Sequence, residues 1–229
     1  MQDRTATKQA ADPAPRLNET LRRTRLRIFA GFAAAGAISI AVLELWYPIH
    51  QRFFPKQFGV VEPGRIYRSG QISASIIHET LARYDIQTVV SLQDYDAHDP
   101  KHRAEREATE ALGIRELHVH LRGDGTGEIR SYAFALAEMA RADRDGAPVL
   151  VHCAAGTERT GAAVAFYRLL VQKRPASNAY SEMRQGGWDP SDNPQLLVYM
   201  NEHMAELARL LAEMGVIDRV PDPLPTIGR

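Results

Sequence analysis

The chain has 229 residues, 45% of them hydrophobic and 24% charged, so it can bury the core of one ordinary domain and carry extensions. Its 28 Lys and Arg residues balance its 28 Asp and Glu residues, and this neutrality gives no overall indication of a nucleic-acid partner. A single cysteine, Cys153, excludes an internal disulfide framework and a multi-cysteine metal site, which leaves either an inert buried thiol or a reactive one.

The N-terminal part divides into a polar, basic leader (1–27) and an apolar segment (28–47). The segment is long enough to cross a bilayer, since about 20 residues are needed. Arginines before the segment and none directly after it predict a protein of the cell inner membrane with a single span and an extracytoplasmic domain. Two alternatives are a cleaved signal peptide, with a small-residue site at Ser39 and Ala41, and a buried soluble helix.

After a linker (48–57), a Pro-Gly turn at 63–64 between two apolar runs predicts a small hairpin. The sequence Arg-Ser-Gly-Gln follows at 68–71. It has two interpretations, a polar loop with a helix cap at Ser73 and a direct contact to substrate.

Helical and extended patterns then alternate, which favours an α/β fold. Loop 94–99 carries Asp94, Asp96 and Asp99 at the carboxyl end of a predicted strand, where ligands collect in open α/β sheets. His118 and His120 have the spacing of metal ligands, but they lack a nearby third ligand and are interpreted as solvent-facing. The predicted elements are helix 73–84, strand 86–92, helix 101–112, strand 117–121 and helix 128–142.

Residues 149–161, Val-Leu-Val-His-Cys-Ala-Ala-Gly-Thr-Glu-Arg-Thr-Gly, predict a buried strand, a tight loop and the start of a helix. Such a loop points several backbone N–H groups at one place, and the helix dipole adds positive potential, so a tetrahedral oxyanion is favoured there. The same field favours a thiolate at Cys153. Gly156 permits the dihedral angles that turn the amides inward. Arg159 can offer two N–H donors to phosphoryl oxygens.

This stretch resembles the His-Cys-x-x-Gly-x-x-Arg-Thr-Gly signature of the cysteine-based phosphatases, in particular the small bacterial tyrosine and dual-specificity type. The likeness extends more loosely over 58–215. It implies a three-layer αβα fold with a mostly parallel central sheet and a phosphate-binding loop between a strand and a buried helix. The six matching residues are His152, Cys153, Gly156, Arg159, Thr160 and Gly161.

Asp124 lies between two glycines that allow its loop to close over substrate, and its distance along the chain from Cys153 resembles the family's spacing for a general acid. Two alternatives stay open. Asp124 could simply cap the helix that begins near Glu128, and an aspartate of loop 94–99 could supply the acid instead.

The resemblance further implies that Cys153 attacks phosphorus, that Thr160 stabilises the departing thiolate, and that His152 supports the loop from behind. Glu158 would oppose dianion binding if it faced the pocket, so we expect it to point outward or to orient an arginine. We expect neither a metal nor a cofactor. The predicted phosphate-binding residues are Ala154, Ala155, Gly156, Thr157, Glu158 and Arg159.

The C-terminal part is predicted to contain an apolar helix at 162–170, a short helix at 177–184, a loop at 186–190 with Trp188 packed as a plug, and a long final helix. Residues 216–229 are expected to form a flexible tail. The core stripe of the final helix is predicted to be Leu197, Met200, Met204, Leu207, Leu211 and Met214.

Phosphomonoester hydrolysis is therefore the predicted activity, on a phosphorylated protein or, alternatively, on a phospholipid such as phosphatidylglycerophosphate. A sulfurtransferase of the rhodanese type also places a cysteine in an anion-binding loop, but the Thr160-Gly161 ending favours the phosphatase. A phospho-binding module without activity would not need a cysteine, an arginine and an acid together.

Overall fold

The structure is a computed structural model that describes residues 54–228 and, before them, only Phe29, Phe32, Gly36, Trp46 and His50. The leader 1–27 and most of the predicted membrane span lie outside the described residues. Within the part that is described, no helix is both long and apolar enough to cross a membrane. The chain divides into two units, Met1–Ile49 and His50–Arg229, and the fold described here is that of the second.

The described residues of this unit form one five-stranded sheet in the order β1-β2-β5-β3-β4. The first two strands form the predicted hairpin and pair antiparallel, whereas all other neighbours pair parallel. The sheet is therefore mixed and mostly parallel, as expected. Its strands are β1 Gly59–Glu62, β2 Ile66–Gly70, β3 Thr88–Ser91, β4 Arg115–His118 and β5 Val149–Cys153.

Six α-helices in the described region cover the sheet. α4 continues directly into a π-helical turn, Tyr167–Val171. The helices are α1 Ile77–Arg83, α2 Pro100–Leu112, α3 Ile129–Asp145, α4 Glu158–Phe166, α5 Ala176–Gln185 and α6 Gln195–Glu213.

Successive side chains of β5 belong to different apolar clusters, which shows that helices pack on both faces of the sheet. Val149 and Val151 belong to the apolar cluster that contains α3, α4 and α6, whereas Leu150 belongs to the cluster that contains α1 and α2. Successive side chains of a strand point to opposite faces, so the two clusters lie on opposite sides. This is the expected arrangement of three layers.

Local sequence signals account for the helix ends. The side chain of Asp99 accepts a hydrogen bond from the Lys101 amide (2.7 Å) at the start of α2, where Pro100 occupies the first turn. Gly113 and Gly146, with φ of 66° and 69°, end α2 and α3 in the left-handed conformation. These ends fix where the loops at the carboxyl edge of the sheet begin.

Several details differ from the sequence-based expectations. α1 begins at Ile77 and not at residue 73, and its N-cap is Ile76 and not Ser73. Residues 68–70 lie in the buried strand β2 and are not a polar loop. β4 ends at His118, before the predicted strand end. Met214 is 42% exposed and does not extend the core stripe of α6. The expected flexible tail is packed, since Ile227 is 1% exposed and both of its backbone groups bond to the Asn201 side chain (2.9 and 3.0 Å).

Candidate active site

Cys153 ends the central strand β5 and is buried, with 1% of its surface exposed. Its Sγ atom accepts a hydrogen bond from the Gly156 amide (3.2 Å). The loop therefore curls back so that at least one backbone N–H points at the sulfur, as predicted for a loop that stabilises a thiolate. β5 lies between β2 and β3, so the sulfur stands at the carboxyl edge of the sheet, near its middle.

The loop packs directly against the end of β2, and this close approach requires glycine. Gly156 has φ +81°, and a Cβ atom on it would lie 2.6 Å from the amide nitrogen of Gly70. A Cβ atom on Gly70 would in turn lie 2.7 Å from the carbonyl oxygen of Ala155. Two backbones thus touch where side chains would separate them.

Arg159 and Thr160 lie in the first turn of α4 and are buried. Nη1 of Arg159 donates to the carbonyl oxygen of Leu92 (3.2 Å), which fixes the side chain beside the end of β3. The Arg159 Nε and the Thr160 Oγ1 have no hydrogen-bond partner among the described residues. Buried polar groups are normally paired. The Arg159 Nε is therefore suited to bind an anion, and the Thr160 hydroxyl is suited to bind the thiolate.

His152 is held from behind the loop by a buried carboxylate. Its Nε2 lies 3.1 Å from Oε1 of Glu105 in α2. The other carboxylate oxygen accepts from Nε2 of Gln71 (2.8 Å), and Gln71 accepts from Nε2 of Gln93 (2.6 Å). The His152 ring is therefore fixed by hydrogen bonds among buried side chains.

Asp124 lies on an exposed loop that meets the start of α4. A Cβ atom on Gly125 would lie 3.4 Å from the backbone carbon of Glu158. The Asp124 carboxylate accepts from the amide (2.9 Å) and the hydroxyl (2.8 Å) of Thr126. These bonds, the amide bond foremost, hold the pKa of Asp124 below its ordinary value, so this conformation favours the carboxylate. Asp124 does not cap α3, whose N-cap is Glu128.

Three neighbouring side chains anchor this acid loop, which comprises residues 122–127; one is Tyr199, whose hydroxyl donates to the carbonyl oxygen of Gly127 (2.9 Å). Nδ2 of Asn193 donates to the carbonyl oxygen of Asp124 (2.7 Å). The hydroxyl of Tyr132 donates to the carbonyl oxygen of Gly125 (2.6 Å), and burial raises the Tyr132 pKa well above its ordinary value. Tyr132 therefore stays neutral and acts as a hydrogen-bond donor.

The aspartates of loop 94–99 have other partners. Oδ2 of Asp94 lies 2.6 Å from Nδ1 of His120, and both side chains are largely exposed. Asp96 accepts from the His98 amide (2.8 Å), and Asp99 caps α2. Two of the three are thus turn and cap residues, and Asp94 is the one that is paired with a titratable group.

His118 is half-buried and paired, in contrast to the expectation that it faces solvent. Its Nε2 lies 2.6 Å from Oε1 of Glu116, and this hydrogen bond raises the pKa of His118. Burial raises the pKa of Glu116, but hydrogen bonds from His118 and Thr109 outweigh it and leave that pKa lowered. In the described region, no three side chains of the His, Cys, Asp and Glu types form a metal-binding group.

The remaining candidates are Glu158 and Trp188. The Thr157 hydroxyl donates to the Glu158 carboxylate, and no arginine among the described residues is paired with Glu158. Trp188 is buried and its Nε1 donates to the carbonyl oxygen of Asn193 (3.2 Å), which confirms the plug interpretation.

Arg68 opens the segment 68–71, for which the sequence left a polar loop and a direct contact to substrate open, and the structure places its side chain against the phosphate-binding loop. Its guanidinium is buried, and Nη2 donates to the carbonyl oxygen of Gly156 in the phosphate-binding loop. The signal in the sequence was a lone arginine that directly follows two apolar residues at the end of a predicted strand. A charge at such a position needs a buried partner.

A mostly parallel sheet that delivers a buried thiol into a tight loop, with a loop amide donating to the sulfur and a buried arginine in the first turn of the following helix, defines the class of cysteine-based phosphatase domains. Residues 55–216 match the family described as PTP-SAK: Swiss Army Knife protein, DSP-PTPase phosphatase domain. The chain belongs to this family.

The chain is also similar to individual relatives. Over 128 residues it is 30% identical to Dual specificity protein phosphatase TpbA of Pseudomonas aeruginosa, a match that covers 56% of this chain and 54% of that protein. The chain thus spans about half the length of the curated relatives it matches.

Two solved structures of TpbA from P. aeruginosa share the fold. One is 27% identical with a TM-score of 0.55, and the match covers 70% of this chain and 91% of that chain. The other, a cysteine-to-serine variant in complex with pTyr, is 26% identical with a TM-score of 0.53, and the match covers 71% of this chain and 98% of that chain.

Proposed function

We propose that this chain is a phosphomonoester hydrolase of the tyrosine and dual-specificity type, acting on phosphotyrosine in proteins. The observation that carries the proposal is the bond from a loop amide to the Cys153 Sγ at 3.2 Å, together with the buried Nε of Arg159 at the start of the next helix, which has no hydrogen-bond partner among the described residues. A nucleophile and a free donor for an anion thus belong to one loop and the helix that follows it. The complex of the relative TpbA with pTyr supports phosphotyrosine as the substrate.

In the first step, the Cys153 thiolate attacks phosphorus in line with the leaving oxygen. Arg159 and the amides of the phosphate-binding loop stabilise the equatorial oxygens, whose charge is greatest in the transition state. The P–O bond to the tyrosine breaks, and the leaving oxygen takes a proton from the Asp124 carboxyl group. A cysteinyl-phosphate and a neutral phenol result.

In the second step, water attacks the phosphorus of the cysteinyl-phosphate. Asp124, now a carboxylate, takes a proton from that water, while the P–S bond breaks and the thiolate departs. The Thr160 hydroxyl is buried beside the loop and has no partner in the described region, so it can donate to the departing sulfur. Inorganic phosphate leaves, and each step uses only protein groups and water.

Two variants of the full chain test the mechanism. Cys153→Ser is expected to abolish hydrolysis of p-nitrophenyl phosphate while it retains binding of inorganic phosphate, and undiminished turnover would exclude covalent catalysis. Asp124→Asn is expected to slow phenyl phosphate, which has a poor leaving group, far more than p-nitrophenyl phosphate. An equal effect on both substrates would reassign the acid, and Asp94→Asn then becomes the variant to measure.

A substrate comparison tests the specificity. The full chain is assayed on a phosphotyrosine peptide, a phosphoserine peptide and phosphatidylglycerophosphate in mixed micelles, at equal phosphate concentrations. We expect the highest kcat/KM for the phosphotyrosine peptide. A higher kcat/KM for the lipid would identify a lipid phosphate, and not a phosphoprotein, as the preferred substrate. The proposed mechanism would be unaffected.

We further propose that residues 28–47 anchor the chain in the cell inner membrane, with the phosphatase domain on the extracytoplasmic side. The support is the apolar run in the sequence and the basic leader that precedes it. Carbonate extraction of membranes and protease digestion of intact spheroplasts test this topology. Release of the full chain into the soluble fraction would contradict the anchor.

A further inference from the structure

Arg68 occupies the middle of β2, where the sheet directs its side chain toward the phosphate-binding loop. It pairs in parallel register with Val151 of β5, so the two side chains lie on the same face of the sheet. Val151 faces the cluster that contains α4. The Arg68 side chain is 6% exposed and extends along this face to the loop that follows Cys153.

Two glycines leave room for this side chain. A Cβ atom on Gly186 would lie 2.7 Å from both Nη1 and Nη2 of Arg68, and one on Gly59 would lie 3.2 Å from its Cγ. Gly186 has φ −75°, a conformation that any residue adopts, so its backbone does not require glycine. The space taken by the guanidinium is therefore the structural reason for glycine at position 186.

The bond from Arg68 fixes the direction of one peptide group of the loop. Nη2 holds the carbonyl oxygen of Gly156 on the sheet side. Because a trans peptide is planar, the N–H of the same peptide, that of Thr157, points the opposite way, toward the substrate side of the loop. The backbone N–H of Gln71 likewise donates to the Ala154 carbonyl oxygen (3.2 Å), so the N–H of the same peptide, that of Ala155, also points away from the sheet.

The same contact links Arg68 to the sulfur. Gly156, whose carbonyl oxygen Arg68 holds, donates its own N–H to the Sγ atom of Cys153 (3.2 Å). Burial lowers the pKa of Arg68, while the negative charges of Glu182 and of Cys153 act in the opposite direction. Loss of the guanidinium would therefore remove a positive charge from the loop and release the residue whose amide bonds to the sulfur.

We propose that Arg68 is a positioning residue of the phosphatase site: it holds the Gly156 carbonyl, aims the Thr157 N–H at the phosphoryl group and stabilises the Cys153 thiolate. The inference rests on the proposed function. It assigns a role in the reaction to a residue that need not touch substrate.

Two variants of the full chain disturb this contact in different ways. Arg68→Met removes the charge and the hydrogen bond but keeps a long side chain. Gly186→Ala keeps the charge and pushes the guanidinium away from Gly156. In both we measure the rate of Cys153 alkylation by iodoacetamide against pH, the inhibition constant of inorganic phosphate, and kcat/KM for p-nitrophenyl phosphate.

For Arg68→Met we expect the midpoint of the alkylation profile to rise by about one pH unit. The phosphate inhibition constant should rise about tenfold and kcat/KM should fall about 100-fold at pH 7. Gly186→Ala should shift all three in the same direction by a smaller factor. Arg68→Lys keeps the charge without the forked geometry, so it should restore the alkylation midpoint more than the phosphate affinity.

Arg141→Met is the matched control, because Arg141 is a partly buried arginine that bonds to Glu138 and Thr88, away from the loop and from Arg68. It should lower stability and leave the alkylation midpoint unchanged. An unchanged midpoint and phosphate affinity in Arg68→Met and Gly186→Ala, or an equal shift in Arg141→Met, would overturn the proposal. If the wild-type chain hydrolyses no monoester, the proposed function fails, whereas alkylation and phosphate binding still decide the role of Arg68.

Discussion

Nε2 of His152 lies 3.1 Å from Oε1 of Glu105 in a part of the core that solvent does not reach, directly behind the nucleophile. The carboxylate is 2% exposed, and its second oxygen is occupied by Gln71. Removing one partner of such a pair leaves a polar group buried without compensation, which costs more than the pair contributes.

The first prediction follows from this pair. Glu105→Ala should lower the free energy of unfolding by about 3 kcal/mol. Urea denaturation monitored by circular dichroism measures the change. Glu107→Ala is the matched control, since Glu107 is exposed on the same helix and its loss should change stability by less than about 0.5 kcal/mol. Equal losses in the two variants would contradict a specific contribution from the His152 contact.

The second prediction concerns Gly156, where two obstacles to a side chain coincide. Its φ is +81°, and the Cβ of an alanine would meet the Gly70 nitrogen at 2.6 Å, a backbone atom that cannot rotate away. Gly156→Ala should therefore displace the loop and lower kcat/KM for p-nitrophenyl phosphate by at least about 100-fold.

Gly113→Ala separates the two obstacles. Gly113 has φ +66° but nothing lies within 4 Å of its added Cβ, and it ends α2. This variant should cost about 1 kcal/mol of stability and leave kcat/KM unchanged. If Gly156→Ala behaved like Gly113→Ala, backbone strain alone would explain the glycine and the contact with β2 would be dispensable.

The third prediction uses the bonds from Thr126 to Asp124. Thr126→Val removes the hydroxyl bond and keeps the amide bond, so the lowered pKa of Asp124 should rise toward its ordinary value. A general acid works in its protonated form, and the alkaline decline of kcat/KM should therefore move to higher pH, by roughly half a unit.

A pH profile with phenyl phosphate measures this shift. The matched control is the double variant Thr126→Val with Asp124→Asn, in which no carboxyl group remains at position 124 to titrate and the substitution at Thr126 should leave the profile unchanged. A shift that persists in the double variant would assign the alkaline decline to another group.

The fourth prediction is a dependence of stability on pH that arises from His118 and Glu116. The pKa of His118 is raised above 6.5 by the hydrogen bond that its ring donates to Glu116, so its contribution is complete below pH 6.5 and is lost as pH rises through the raised value. The pKa of Glu116 is lowered below 4.5, and its contribution is lost as pH falls through that lowered value. The pair therefore stabilises the fold most between pH 4.5 and 6.5.

His118→Gln should consequently reduce the free energy of unfolding more at pH 5.5 than at pH 8.5, by roughly 0.5–1 kcal/mol. Urea denaturation at the two pH values gives the difference. His120→Gln serves as the control, because the His120 side chain is 62% exposed and its removal should have little effect at either pH. A pH-independent loss in His118→Gln would mean that its ring contributes through packing alone.

The sequence predicted the parts of the site that depend on local rules. The signature around Cys153 specifies its own strand, loop and helix, because glycine, the apolar run and the small residues of α4 each act within a few positions. The helix predicted at 101–112 agrees with α2, which ends before Gly113, for the same reason. These features can be predicted without knowing which residues lie across the sheet.

The contacts that the sequence did not reveal depend on distant partners. Arg68 lies in a polar stretch that is typical of loops, and it is buried only because β5 pairs with β2 from far along the chain. Glu105 belongs to a helix with many charges, and nothing local distinguishes it from its exposed neighbour Glu107. The backbone of Ile227 is held by the side chain of Asn201, which lies 26 positions earlier in the chain. In each of these cases, a partner that is distant in the sequence determines whether the residue is buried.

The strand order has a consequence for how the chain acquires its reactivity. β5 inserts between β2 and β3, both of which precede it in the chain, so the sheet cannot be completed until residue 153 has left the ribosome. Before then the two older strands have no common neighbour, and the sulfur has neither its ring of amides nor its charged surroundings. During biosynthesis the chain would therefore expose no activated nucleophile to cellular electrophiles until its last strand docks.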